Sequence, residues 1–515
     1  MKKLFLYLLV SSSVFINAQE TTKDDALRYA LNNLNGTARF RGMSGAFGAV
    51  GGDLSSINVN PAGSLFFNNN FASISAGILN RNNASSYFGT KTEENHSSID
   101  LNQLGAVLIF NNTSKESDWS KIAVALNYES LSNFDNSLFS AGVNTNNSIG
   151  NYFIDKAQGL PLNYIQLQAG ESISQLYSYL GGTSGLGFPA QQALLGYQSY
   201  LFEAFDDTNS DNIDYYTNIP GGGNYYQENY VYTSGFNGKL TANIATAYKN
   251  KLFLGLNLNA HFTDFSKTSS VYEGNNNPLY SSGLTVTDIQ FDNELYTYGS
   301  GFSMNLGAIY KITENFRVGL AYETPTWYNL NDELSQRLIT ITTDGTDINQ
   351  NIVAPNVINI YESYKIQTPS KWTFSGAYIF GKKGLLSIDY TSKDYSSTQF
   401  KPASDVFFTT LNSQMRNQFK NAYELRIGGE YKIKQWSLRA GYRFEESPYK
   451  ADYAIGDLTG YSAGLGYNFG ESKLDLAYSN DHRNYNQSFM SSGMNDTARI
   501  RNTNKNITIT YSINF

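Results

Sequence analysis

From Phe71 to the last residue the chain alternates apolar and polar side chains in short runs separated by turns. Tyr423, Leu425, Ile427, Tyr431 and Ile433 share one face of such a run, with Glu424, Arg426, Glu430 and Lys432 on the other. Across a turn at Lys434 and Gln435, Trp436, Leu438, Ala440, Tyr442 and Phe444 oppose Ser437, Arg439, Gly441, Arg443 and Glu445. The ending is equally regular, with Ile507, Ile509, Tyr511, Ile513 and Phe515 against Asn506, Thr508, Thr510, Ser512 and Asn514. A period of two is the signature of a strand with unlike faces. Seven runs lie in the first part of the chain: Phe71 to Leu79, Leu101 to Phe110, Lys121 to Ser130, Phe236 to Tyr248, Leu252 to Phe265, Gly301 to Ile312 and Phe316 to Glu323. Seven more lie beyond them: Lys371 to Phe380, Leu385 to Tyr395, Ala422 to Ile433, Trp436 to Glu445, Tyr461 to Gly470, Lys473 to Asn480 and Asn504 to Phe515.

A soluble sandwich would bury every one of these apolar faces in a core. A transmembrane barrel turns them outward to lipid, keeps polar side chains inside and rings both interfaces with aromatics. Aromatics at the strand ends favour the barrel, and so does composition. Aromatic residues make up 15% of the chain, with 39 Tyr and 32 Phe, and charged residues only 16%, against roughly 25% in soluble proteins. An even strand count returns both ends to one side of the membrane, and the connections after strands 4, 6, 8, 10 and 12 are short while those on the other side are long. Short turns face the periplasm and long loops face outward. The fold class expected is therefore all-β, a 14-stranded antiparallel transmembrane β-barrel over residues 67–515. Sixteen strands is the alternative, if Arg337 to Thr343 and Val357 to Lys365 form a further hairpin inside the connection Thr324 to Ser370.

Ahead of the barrel, Lys2-Lys3, an apolar run from Leu4 to Ile16 and Asn17-Ala18-Gln19 read as a secretory signal peptide over residues 1–18, cut after Ala18. Thr21 to Leu34 has the apolar spacing of a short helix. Arg41 to Gly63 is unlike anything else in the chain. Its small residues, among them Gly42, Ser44, Gly45, Ala46, Gly48 and Ala49, let the backbone pass close to its neighbours, and Phe47 and Val50 add an apolar stripe three apart. That suits a short helix in a confined space. Gly51-Gly52 offer a left-handed stop, Asp53 can cap a helix starting just after it, and Asn60-Pro61-Ala62-Gly63 is a tight-turn signature. An ordinary Gly-rich loop is the plainer reading.

The longest connection, residues 131–235, is too long for an unstructured loop. Leu162, Ile165, Ala169, Ile173, Leu176 and Leu180 recur at helical spacing up to Gly181-Gly182, and Pro189 opens a second helix bearing Leu194, Tyr197, Leu201 and Phe205. Leu176, Tyr177, Leu180, Leu194, Tyr197, Leu201 and Phe205 are candidate ligand-binding residues, although packing of the two helices explains them equally well.

Asn60-Pro61-Ala62-Gly63 after a Gly/Ala-rich stretch and before a 14-strand barrel resembles the outer-membrane FadL/TodX family, which transports long-chain fatty acids and aromatic hydrocarbons. FRVGLAYETPTWY from Phe316, TPSKWTFSGAYIF from Thr368, and LRIGGEY with LRAGYRF between Leu425 and Phe444 are similar too. The resemblance implies that residues 19–66 are a hatch plugging the lumen, with Phe47, Gly51, Gly52, Asp53, Asn60, Pro61, Ala62 and Gly63 at its core. It also implies a greasy capture site on the outer loops and sideways exit beside a kinked third strand. Lys121 to Ser130 contains neither Gly nor Pro to mark a kink, so the sideways exit is not visible in these residues. By the same resemblance the chain is a Gram-negative outer-membrane protein, inserted by the barrel-assembly machinery as a monomer surrounded by outer-membrane lipid, with a hydrophobic small molecule as substrate and no cofactor.

Arg317, Arg426, Arg439 and Arg443 fall on expected lumen faces near Glu323, Glu424, Glu430 and Glu445. A structural ion-pair ladder is the expectation, and one arginine meeting a substrate carboxylate is the sharper reading. His96, His261 and His482 lack metal-ligand spacing, and no Ser/His/Asp grouping stands out, so neither a metal centre nor an enzyme is expected. The chain has no cysteine, and its net charge of −7 gives no footprint for nucleic acid. A general porin and a protein-binding receptor of the same architecture remain as alternatives.

Overall fold

The structure, a computed structural model, describes residues 21–31, 33–114, 116–451 and 454–515; the signal peptide expected over residues 1–18 lies outside them. Fourteen antiparallel strands form the wall. They are β1 (Phe71–Tyr87), β2 (Thr90–Asn111), β3 (Trp119–Asn133), β4 (Tyr225–Tyr248), β5 (Leu252–Asn275), β6 (Thr285–Lys311) and β7 (Phe316–Glu323). The second half is β8 (Lys371–Ile379), β9 (Gly384–Asp394), β10 (Asn421–Ile433), β11 (Trp436–Glu445), β12 (Ile455–Asn468), β13 (Ser472–Ser488) and β14 (Thr497–Asn514). Each pairs with its successor, and β14 closes on β1 from Phe71↔Asn514 to Ser86↔Arg499. Closure removes the sheet edges that hydrocarbon cannot hydrogen-bond.

All fourteen expected runs are present, several of them longer on the outer side. The connection Thr324 to Ser370 does hold a hairpin, Trp327–Thr343 with Ile348–Val353. It pairs with the outer half of β6, from Trp327↔Phe302 to Thr343↔Thr285, and turns back without descending. The count therefore stays at fourteen.

Burial is inverted relative to a soluble protein. Ile509 is 48% exposed while its neighbour Thr510 is 3% exposed, because odd positions of β14 face outward and even ones face the lumen. Trp119 with Tyr248, and Trp436 with Tyr467, pack near the short turns with ring centroids 5.2 and 4.7 Å apart. Tyr322 with Trp372, and Tyr390 with Tyr423, do so toward the other end at 4.6 and 5.8 Å. These are the two interfacial girdles.

Residues between β3 and β4 form a lid with α-helices at Gly150–Ala157, Ile173–Gly182 and Gly187–Gln198. The first of these was not expected. The helix expected to run from Leu162 starts only at Ile173, where the Ser172 hydroxyl accepts from Gln175 N and the Gln175 side chain returns to Ser172 N. Such a reciprocal cap fixes a start more firmly than apolar spacing does. Leu162 to Tyr164 is a single 3-10 turn. The helix still ends at Gly182, as the paired glycines require.

The wall splits between β2 and β3. These strands pair only from Gln103↔Glu129 to Asn111↔Lys121. Beyond that point β2 keeps its ladder with β1 alone, and β3 bulges at Leu131, so that Ser130 faces Gly238 and Ser132 faces Asn237 on β4. A facing irregularity on β2 buries Asn102 and Gln103 in succession. The next strand, Asn136–Asn144, pairs with β4 and runs beneath the inner face of β1, where Asn83 donates to the Ser137 carbonyl at 2.7 Å. The bulge falls just past the run Lys121 to Ser130, in which neither Gly nor Pro marks a kink. A bulge turns a strand with one extra residue and requires neither Gly nor Pro.

Replacing Ile509 by Arg, a charge put into the hydrocarbon belt, is expected to cost about 2–4 kcal/mol of folding free energy in lipid vesicles. Lys505→Arg, at the upper border of the same face, is expected to change little. Urea unfolding followed by Trp fluorescence checks both.

Candidate functional site

The lumen is filled from two ends. Toward the lid sits α1 (Lys23–Ala30), started by the reciprocal cap of Thr22 and Asp25. Lys23 donates to the Gln418 side chain at 2.7 Å, Tyr449 donates to Asp24 at 2.9 Å, and the Tyr29 ring packs tilted against Tyr328 with centroids 5.0 Å apart. Toward the short turns lie α2 (Ala38–Gly42), α3 (Ser56–Val59) and a 3-10 turn, Pro61–Phe66. The helix expected around Phe47 is displaced. The α2 helix ends at Gly42, because Ser44 and Gly45 take left-handed conformations with φ of 51° and 76°, and residues 43–50 run as turns. Gly51 and Gly52 are both left-handed at 66°, as the spacing predicts. The Asp53 carboxylate accepts from Ser55 N at 2.9 Å and from the Thr37 hydroxyl at 2.8 Å, binding the two halves of the hatch together.

The Asn60 corner lies inside the barrel against the wall. Asn60 donates to the Gly48 carbonyl at 2.8 Å and to the Ala308 carbonyl at 3.1 Å, and its oxygen accepts from Ala62 N at 3.1 Å. Pro61 accepts from Asn243 at 3.0 Å, and Gly63 accepts from Gly52 N at 3.0 Å. The wall is cut to receive this corner. A Cβ on Gly307 would stand 2.1 Å from the Asn60 oxygen, and one on Gly319 would stand 2.4 Å from the Gly48 carbonyl. Phe47 is fully buried, and Asp389 of β9 accepts from Phe47 N at 2.9 Å and from Gly48 N at 3.0 Å.

Three of the four arginines sit in carboxylate networks. Arg426 meets Glu424 at 2.7 Å, Arg443 meets Glu424 and Glu445 at 2.8 and 2.7 Å, and Arg439 meets Glu430 and Asp475 at 2.7 and 2.6 Å. The hatch joins the last network through Arg39, 2.9 Å from Glu430. Burial works against the Arg39 charge, but the Glu430 carboxylate outweighs it and holds the pKa above the ordinary arginine value. Arg317 departs from the expected ladder. It donates to the Val50 carbonyl at 3.2 Å and lies 4.2 Å over the Phe66 ring, while Glu323 takes Lys371 at 2.8 Å. Six residues of strand separate Arg317 from Glu323 by roughly 20 Å, which no side chains bridge.

Between α1 and the hatch lies a cavity of about 80 Å³. Leu34, Phe40, Val59 and Leu131 form its apolar side, and Lys239, Lys371, Lys393 and Arg426 face it together with Glu129 and Glu323. Lys239 is 3% exposed, and its ammonium has no hydrogen bond or ion pair among the described residues. Sequence reasoning did not single it out, although it shares the inward parity of Thr241 and Asn243. The cavity reaches the split in the wall at Leu131, whose carbonyl accepts from Asn33 N of the segment leading to the hatch at 3.3 Å. Across the split, Ser130 donates to Asp100 at 2.7 Å.

The candidate ligand-binding residues of the lid are elsewhere. Leu176, Tyr177, Leu180, Leu194 and Leu201 are buried in its own core, where Tyr177 donates to Gln336 at 2.8 Å. Tyr197 packs against that core, and Phe205 lies outside the helices at 70% exposure. His261 bonds Ser303 at 2.8 Å within the wall, and no group of three metal-ligating side chains gathers among the described residues.

A family model described as outer membrane protein transport protein (OMPP1/FadL/TodX) matches residues 217–515. The chain belongs to this family. The fold is similar to the crystal structure of a Pseudomonas aeruginosa FadL homologue, at 13% identity and a TM-score of 0.53, over 94% of this chain and 100% of that one. It is likewise similar to the P. putida toluene transporter TodX, at 15% identity and a TM-score of 0.50, over 94% and 99% of the two chains. A search of curated sequences finds no match. The barrel, its N-terminal plug and the family membership together make this an outer-membrane protein with the fold of the FadL/TodX transporters of hydrophobic compounds.

Asn60→Ala removes three hydrogen bonds at the corner of this FadL/TodX-type hatch, two of them to the hatch itself and one to the wall. Seating is expected to weaken by about 1–3 kcal/mol. The measurement is single-channel conductance in planar bilayers, which should show frequent openings absent from the parent protein, with the barrel still resistant to sodium dodecyl sulfate before heating.

Proposed function

We propose that the protein carries hydrophobic molecules with an acidic headgroup, of the long-chain fatty-acid type, from the lid to the cavity between α1 and the hatch. The observation that carries this reading is Lys239, a buried ammonium with no hydrogen bond or ion pair among the described residues, beside an apolar wall and with Glu129 opposite it on β3. A carboxylate there would gain a charge-assisted hydrogen bond while the chain buries about 0.8 kcal/mol per methylene against Leu34, Phe40 and Val59. A plain aromatic hydrocarbon would offer the ammonium no hydrogen bond.

The cavity as it stands holds a few waters at roughly 30 Å³ each and is far too small for an acyl chain. Passage therefore requires α1 and the hatch to give way, and ligand binding would favour the displaced arrangement. The exit is proposed at the β2–β3 split. Displacing Asn33 frees the Leu131 carbonyl, and with it the bulge that turns β3 away. The closely seated hatch weighs against a general porin. Capture by the lid residues Leu176 to Leu201 would need the lid to open, since their side chains face one another.

Lys239→Gln is expected to weaken oleate binding about tenfold and leave toluene binding unchanged, as read by displacement of a fluorescent fatty acid. Equal loss for both ligands would refute the headgroup assignment. A second test uses the absence of native cysteine. Ser44 of the hatch and Ser462 of β12 have hydroxyls 2.8 Å apart, so S44C/S462C should form a disulfide that abolishes uptake when oxidised and restores it on reduction. Uptake that persists in the oxidised form would rule out hatch movement.

A further inference from the structure

The outward face of β13, β14, β1 and β2 changes character sharply along the barrel. Registers from β13 to β1 are unbroken, so side-chain rows can be followed from strand to strand. One row reads Leu476, Ile509, Ala76 and Leu101, and the next reads Tyr478, Ile507, Ile78 and Ile99. The row above them reads Asn480, Lys505, Asn80 and Ser97, with no apolar member. Two rows higher, Asn484, Arg501, Ala84 and Glu93 stand side by side, with Asn486, Arg499, Ser86 and Lys91 in the row after. The small side chains of Ala84 and Ser86 floor a groove of about 620 Å³ between Arg499, Arg501 and Lys91, with His482 at its edge. Its one carboxylate, Glu93, takes a short hydrogen bond from Asn82. Arg499, Arg501, Lys91 and Lys505 form no ion pair among the described residues, in contrast to the paired arginines Arg426, Arg439 and Arg443 inside the barrel.

Distance along the strand selects the occupant. At about 3.4 Å per residue and a tilt near 40°, Lys505 stands roughly 5 Å above the last apolar row, Arg501 roughly 15 Å and Arg499 roughly 20 Å. A phospholipid headgroup layer is only about 5–8 Å deep. A phospholipid would satisfy Lys505 and leave the arginine pair bare. A lipid whose acyl chains lie on Ile507, Ile509 and Ile78, and whose headgroup is a phosphorylated saccharide, reaches all of them.

We infer that this groove is a binding site for a phosphorylated glycolipid of the outer leaflet, with Arg499, Arg501 and Lys91 taking phosphates on the sugars and Lys505 taking the group nearest the acyl chains. The site is on the opposite side of the wall from the proposed transport cavity and holds lipid against β1 and β2, the second of which borders the split.

The test uses the full chain in detergent and a short-core lipopolysaccharide phosphorylated on its lipid and inner-core sugars, with binding read by native mass spectrometry and by salt dependence. R499Q/R501Q is expected to bind at least about tenfold more weakly, R499K/R501K within about threefold of the parent, and the dephosphorylated glycolipid as poorly as the glutamine variant. Resistance to sodium dodecyl sulfate before heating confirms that each variant is folded. The inference is overturned if the glutamine variant binds as the parent does, or if dephosphorylation changes nothing. It is equally overturned if phosphatidylglycerol binds as tightly, or if millimolar inorganic phosphate occupies the groove with the same affinity.

Discussion

Hydrocarbon offers no partner for a peptide group, and this constraint decides everything else in the molecule. It forces the strands to close on one another, and closure at fourteen strands leaves a lumen wider than the wall's own side chains can fill. The inner face must be polar because it meets either water or a plug, and here it meets a plug. Each polar group of residues 33–66 then needs an answer from the wall. Asp389 answers the Phe47 and Gly48 amides, Glu430 answers Arg39, and Asn243 answers the Pro61 carbonyl. Glycines at 307 and 319 remove the side chains that would stand where the hatch backbone must pass. Wall and hatch are a single solution to one problem of hydrogen-bond satisfaction.

That same constraint explains what could be read from the sequence. A strand with lipid on one side and a polar interior on the other has to alternate, so all fourteen strands were legible, and the parity of each residue told which side it faces. Asn60, Pro61, Ala62 and Gly63 were legible because a turn of that kind needs those residues wherever it sits. What alternation does not carry is where a strand stops being in the membrane. The Trp327–Thr343 hairpin alternates as well as any wall strand and pairs with β6, yet it stands entirely above the belt. Nor does alternation show a missing neighbour. The departure of β3 depends on one extra residue at Leu131, which leaves no compositional mark. The Arg317 pairing failed for a plainer reason, since Arg317 and Glu323 stand at opposite ends of one strand and shared parity says nothing of distance along it.

The site was less legible than the fold. The lid residues Leu176, Tyr177, Leu180 and Leu194 carry the spacing of an apolar stripe, and a stripe only says that something covers it. Their cover proves to be one another and the hairpin residue Leu338. Lys239 was passed over because a single inward lysine among asparagines and threonines looks like any lumen residue. Its meaning comes from three dimensions, where it lines a cavity with Leu131, Phe40 and Val59 and makes no ion pair among the described residues, although Glu129 stands opposite it on β3. One signal was available: Lys239, Lys371 and Lys393 all sit at inward parity, which sets three lysines on the lumen face.

The arrangement divides the chain into parts that can move and parts that cannot. Wall strands exchange a ladder hydrogen bond at nearly every residue, and releasing one strand would strand its peptide groups in hydrocarbon. The hatch faces no such penalty. Most of its bonds to the wall involve a side chain, as at Asp389, Glu430, Asn243 and Ser462, in a lumen where water can replace them. Water replacement reduces the net loss per bond to about 1 kcal/mol, whereas an unpaired group in lipid costs several. Movement is therefore cheapest in residues 21–66 and at the outer part of β2, where the wall lacks its β3 partner. The Asn33 amide, bonded to Leu131, is the physical joint between those two.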